Sequence, residues 1–139
     1  MSEVLANASC VAIGGRGLLI TGEPASGKSS LALALIDRGA MLVGDDGVTL
    51  ELAQGRVLAS PPPNIAGLIE VRNVGLIRLP TTSATLALVV KLSRDTQRHP
   101  HEAGVYTLLG LPIPLITLWP DSHALPLRAE HALALYGLA

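Results

Sequence analysis

Gly22-Glu23-Pro24-Ala25-Ser26-Gly27-Lys28-Ser29 is the stretch on which the fold of this chain turns. The octapeptide fills every fixed position of the phosphate-binding pattern G-x-x-x-x-G-K-[ST]. Immediately before it, Gly17 to Thr21 reads as a short buried strand, and immediately after it, Ser29 to Ile36 reads as a helix. That context is what the pattern requires. A loop of small residues between a strand and a helix N-terminus turns several backbone N–H groups inward, where the helix dipole adds positive potential. Gly22 and Gly27 permit backbone angles and close approaches that a Cβ would block. Lys28 supplies a cation for the β and γ phosphates, and the Ser29 hydroxyl can ligate Mg²⁺. The expected cradle for a triphosphate comprises Gly22, Glu23, Pro24, Ala25, Ser26, Gly27, Lys28, Ser29 and Ser30, with phosphate or pyrophosphate as smaller occupants.

Composition bounds the rest. At 139 residues, with 49 % hydrophobic and 15 % charged residues, one domain over 1–139 with a real core is expected. Phe is absent and aromatic residues make up 2 %, so Leu, Val, Ile and Ala must fill that core. A formal charge of −1 with no basic run makes nucleic acid and anionic membrane surfaces poor partners. The longest apolar runs, such as Ala84 to Val90, fall far short of a membrane span, and Met1-Ser2-Glu3-Val4 has no basic signal-peptide start. The lone Cys10 excludes internal disulfides and fits a reducing cytoplasm.

Along the chain, Ser9 to Ile13 and Gly17 to Thr21 read as paired strands around Gly14-Gly15-Arg16-Gly17. The following helix runs to Asp37 or Arg38 and stops at Gly39; its residues Leu31 to Ile36 are apolar all round, which predicts burial on most sides. Met41 to Asp46 reads as a strand ending in two acids, and Val48 to Leu52 with Gln54 to Leu58 as a second hairpin. Pro61-Pro62-Pro63 marks an extended loop, Ile65 to Ile69 a turn or helix, and Leu86 to Leu92 a further strand. Ser93 to Ala103 is polar and reads as a mobile loop. Ile113 to Leu118 ends the sheet, and Leu127 to Tyr136 forms a last helix after Pro126.

Transfer of a phosphoryl group to a hydroxyl needs a carboxylate near the γ-phosphate to take the proton. Asp45-Asp46 is the natural source, although adjacent strand residues point to opposite faces. Glu70 and Arg72, two apart on a strand, would share a face near metal and phosphates. Arg98, in the polar loop, could cover the transferring group. His99-Pro100-His101-Glu102 has no companion His or Cys at metal-site spacing, so it is not read as a metal centre.

These segments together resemble the catalytic domain of HPr kinase/phosphorylase, in the short form that lacks a separate N-terminal domain. The phosphate loop, Leu42-Val43-Gly44-Asp45-Asp46, Pro62-Pro63 and Leu68-Ile69-Glu70-Val71-Arg72-Asn73-Val74-Gly75 carry the resemblance. It implies an α/β phosphate-loop kinase fold akin to phosphoenolpyruvate carboxykinase, a mixed sheet with a buried helix after the loop and a C-terminal helix. It also implies ATP and Mg²⁺ as cofactors, a serine of the phosphocarrier HPr as acceptor, phosphorolysis of phosphoserine as the reverse reaction, and a cytoplasmic hexamer. On this reading Asp45 is the proton acceptor, Asp46 supports the metal or orients Asp45, Glu70 joins Ser29 around Mg²⁺, and Lys28, Arg72 and Arg98 serve the transferring phosphate.

Two departures from that pattern bear on function. Asn7 stands where the resemblance leads one to expect a histidine near the phosphates, which implies weakened phosphorolysis. Asn73 replaces the signature glycine, at a position where Asn tolerates positive φ. The residues leave two other readings open: a non-catalytic ATP or phosphate sensor, and a kinase for a small metabolite.

Overall fold

The structure is a computed structural model that describes residues 2–100 and 102–139. In chain order its elements are β1 (Ser2–Ala6), β2 (Ser9–Ile13), β3 (Arg16–Gly22), α1 (Lys28–Asp37), β4 (Met41–Gly44), β5 (Gly47–Ala53) and β6 (Arg56–Ser60). They continue with β7 (Leu68–Val71), β8 (Gly75–Arg78), β9 (Ala84–Leu92), β10 (Gly104–Leu108), β11 (Leu111–Leu118) and α2 (Leu125–Tyr136).

Tight two-residue turns build much of the sheet. Gly14-Gly15 and Gln54-Gly55 all take positive φ, the conformation that lets a two-residue loop follow the twist of its strands, and they join β2 to β3 and β5 to β6. The main sheet runs β1-β5-β6-β9-β3-β2-β4, with β11 added to the end of β9 and β10 paired to β11. β3 lies parallel to β9 along its whole length, and β9 lies parallel to β11 from Val89 to Leu92. β7 and β8 form a separate hairpin.

The sheet has an apolar core on each face. One contains Val11, Leu18, Ile20, Leu88, Val90 and Leu92 and is covered by α1 and α2 through Leu31, Leu35, Ala129 and Leu133. The other, around Cys10, Leu19, Val43, Val48, Leu50, Val57 and Leu86, is closed by the sheet curling so that β4 meets β5 and β6. Both are aliphatic, as the lack of Phe requires. Cys10 is wholly buried and burial pushes its thiol up to about 12, so it packs as a small apolar group rather than reacting.

α1 ends as expected. Gly39 takes φ 112, its N–H donates to the Ile36 carbonyl and the Ala40 N–H donates to the Leu35 carbonyl, which together satisfy the last turn. The expectation of burial on most sides is only partly met: Leu31, Ala32 and Leu35 are buried, whereas Leu33, Ala34 and Ile36 are half-buried. At the other end of the chain, Arg16 donates to the Leu133 carbonyl (3.3 Å) and the Leu138 carbonyl (2.7 Å), tying the end of α2 to β3.

Three sequence readings need correction. β1 and β10 were not anticipated; β1 is short and largely exposed and exists by pairing with β5, and β10 lies beside the polar loop. Residues 65–67 are a turn that enters β7 at Leu68, and the strand through Glu70 stops at Val71, so Arg72 lies in the hairpin turn rather than on the same strand face as Glu70. Asn73 takes φ 70 in that turn. α2 begins at Leu125, with Pro126 inside its first turn.

Between β4 and β5 the chain folds back so closely that a Cβ on Gly44 would collide with the Gly47 carbonyl. Gly44→Ala is therefore expected to lower stability by about 2 kcal/mol or more, read as a lower midpoint in chemical denaturation with an unchanged slope.

Candidate phosphate-transfer site

The loop between β3 and α1 takes its shape from three residues at positive φ: Gly22 (153), Ala25 (64) and Gly27 (102). A Cβ on Gly22 would lie 2.6 Å from Ser26 Oγ, so the first fixed glycine is required by the packing of the loop on itself. Gly27 precedes α1, whose first turn contains no acidic side chain, and its carbonyl accepts from Leu31 (2.9 Å). The preceding N–H groups of that turn have no intrahelical acceptor and carry the positive end of the helix dipole. Lys28 Nζ bridges the two ends of the loop, donating to the carbonyls of Gly22 and Glu23 at 3.0 Å each.

A pocket of ≈ 450 Å³ opens beside this loop. Of the anticipated residues, Pro24, Ala25, Gly27, Lys28, Ser29, Ser30, Asp45, Asp46, Glu70 and Arg72 line it, together with Asn7. Gly22, Glu23 and Ser26 shape the loop without lining the pocket. Arg98 does not reach it: it is exposed in the 93–103 segment, which has no regular element among its described residues. His101 lies outside the described residues.

The two adjacent acids have different surroundings. Asp45 is 5 % exposed; its Oδ1 accepts from Ser29 Oγ (2.6 Å) and Ser9 Oγ (2.8 Å), and its Oδ2 accepts from the Glu70 N–H (3.3 Å). It thus joins the helix after the loop, β2 and β7 at one carboxylate. Asp46 is exposed, at φ 58, and its carbonyl accepts from the Asn7 N–H (3.2 Å). The left-handed turn at Asp46 is what allows two neighbours in sequence to serve one pocket, one beneath it and one on its wall.

Sequence reasoning missed Ser9 and the apolar wall of Ile65, Leu68 and Leu76. Ser9 is 36 residues from Asp45, and only the pairing of Cys10 with Gly44 brings them together. No local signal marks it.

The family model described as the HPr Serine kinase C-terminal domain matches residues 1–118. The chain belongs to that family. Curated relatives called HPr kinase/phosphorylase from Burkholderia cenocepacia and Paraburkholderia phymatum are each 38 % identical over 117 residues, covering 75 % of this chain and 36 % of theirs. The chain therefore spans about a third of the length of the curated relatives it matches. A solved structure described as the HPr(Ser) kinase/phosphatase from Coxiella burnetii superposes with a TM-score of 0.82 at 30 % identity, over 95 % of this chain and 88 % of that one. The mixed α/β fold of the HPr serine kinase C-terminal domain is thus shared, with a sheet that dominates and two helices on one face. Among the described residues no helix is long and apolar enough to cross a membrane.

Proposed function

We propose that this chain is an ATP-dependent serine kinase acting on an HPr-type phosphocarrier protein. The observation that carries the reading is the division of labour around Ser29: a buried carboxylate bonded to the phosphate-loop hydroxyl, and a second, exposed carboxylate facing the same pocket.

This division exchanges the roles that the resemblance assigned to the acid pair. Asp45 has both oxygens committed to Ser9, Ser29 and Glu70, so it suits the metal side of the site. Asp46 has a solvent-facing side chain in reach of an incoming hydroxyl, which suits proton acceptance. Ser29, Asp45 and Glu70 fit Mg²⁺, which takes oxygen donors and is held through one or two carboxylates with the substrate phosphates completing its shell. When bound, the ion would neutralise charge on the β and γ oxygens. Lys28 and the first-turn N–H groups hold the donor phosphates, and Arg72 adds positive charge to the pocket lining. The serine oxygen attacks the γ-phosphorus, its proton passes to Asp46, and the bond to the β-phosphate oxygen breaks to release ADP.

Asn7 contacts the backbone of Asp46 and carries no transferable proton, which favours the forward direction over phosphorolysis. The test is incubation with Mg-ATP and an HPr-type carrier, followed by detection of phosphoserine. Transfer to the carrier is expected; ATP binding without transfer would leave a sensor, and transfer only to small hydroxyl compounds would leave a metabolite kinase.

A further inference from the structure

We infer that Trp119, with Arg94 laid over it, is the platform that receives the base of the bound nucleoside triphosphate; the inference rests on the phosphate-loop reading above. Three parallel strands, β3, β9 and β11, end in line, with Gly22 paired to Leu92 and Leu92 paired to Leu118. Two strand spacings place Leu118 about 10 Å from the first glycine of the phosphate loop. Ligands of such sheets bind outside the carboxyl ends of the strands.

The direction of the ligand follows from the acids. Asp45 and Asp46 follow β4, which lies on the opposite side of β3 from β9, with β2 between. A triphosphate whose terminal phosphate faces those acids directs its α-phosphate, ribose and base toward β9 and β11. Trp119 is the residue after β11. It is the sole tryptophan of a chain without Phe, and the residue is 38 % exposed.

Arg94 and Asp121 lie beside the ring. The Ser93 N–H donates to the Leu118 carbonyl (3.1 Å), which carries the β9–β11 pairing one residue further and sets Arg94 beside Trp119. The Arg94 guanidinium carbon lies 6.0 Å from the indole centroid, and Arg94 Nη2 is 2.6 Å from Asp121 Oδ2. A partly exposed indole with a guanidinium beside it is suited to stacking a base, because every base presents a π-face.

Because Trp119 is the only tryptophan, its fluorescence reports on the platform directly. Mg-ATP is expected to change the emission saturably, and Mg-tripolyphosphate, which has no base, to bind without changing it. By calorimetry, Trp119→Ala should weaken ATP about ten-fold while tripolyphosphate stays within about two-fold, and Trp119→Phe should retain most of the preference for ATP. An ATP-to-tripolyphosphate affinity ratio that is the same in Trp119→Ala as in the parent, with both ligands bound, would overturn the platform alone. If neither ligand binds the parent protein, the phosphate-loop reading fails and the platform fails with it.

Discussion

Asp46→Asn lowers the rate of phosphoserine formation by about 10²–10⁴-fold, the usual contribution of a positioned proton acceptor, without moving the Mg²⁺ concentration that the reaction needs. Asp45→Asn behaves differently. Its Oδ2 accepts from the Glu70 N–H, so an amide nitrogen placed there would oppose one donor with another, while one placed at Oδ1 would face the hydroxyls of Ser9 and Ser29. That substitution costs about 1–3 kcal/mol of stability through an unsatisfied buried group and shifts the Mg²⁺ requirement upward. Initial rates measured against Mg²⁺ for both variants, with a thermal melt of each, separate the two roles. A large loss of turnover from Asp45→Asn at unchanged Mg²⁺ dependence, with Asp46→Asn near the parent rate, would return the proton to Asp45. Equal signatures from both variants would mean that the two carboxylates act as one unit.

What the sequence made legible was local. The strand, loop and helix around Gly22 to Ser29 are specified by contiguous residues whose backbone needs are explicit, and the structure places them with β3 ending at Gly22 and α1 starting at Lys28. The acid pair stood out because a strand pattern ended in it, and Gly39 announced the end of α1. What stayed hidden depended on distant partners or on turns without a composition signal. β1 alternates poorly and is held by β5, more than forty residues away. The turn between β10 and β11 puts Leu109 at φ 51, and a leucine at positive φ gives no warning in the sequence, so that hairpin escaped notice. The difference between Asp45 and Asp46 was equally invisible, because it arises from Ser9, reached through sheet pairing, and from the left-handed turn at Asp46. Arg98 is placed by composition alone: it lies exposed in the polar loop and outside the lining of the pocket.

Lys28→Met lowers phosphoryl transfer by about 10²–10³-fold and weakens ATP and tripolyphosphate together, as expected when one charged donor to the developing phosphoryl charge is removed. The ammonium donates to the Gly22 and Glu23 carbonyls, so it closes the loop with one N–H to spare, and Lys28 also lines the pocket. Lys28→Arg tests whether point charge or charge alone matters. A planar guanidinium has no tetrahedral arrangement of donors with which to span those two carbonyls and a phosphate at once, so it should recover little activity. The melting temperature of both variants should stay within about 3 °C of the parent, because the side chain is only half-buried and leaves no cavity in either core. Full activity in Lys28→Arg would show that a positive charge anywhere near the loop suffices, and parent-level transfer in Lys28→Met would remove the loop from the reaction altogether. Loss of binding to both ligands, beside the loss of ATP preference alone in Trp119→Ala, would divide the donor site into a part that holds phosphates and a part that chooses the base.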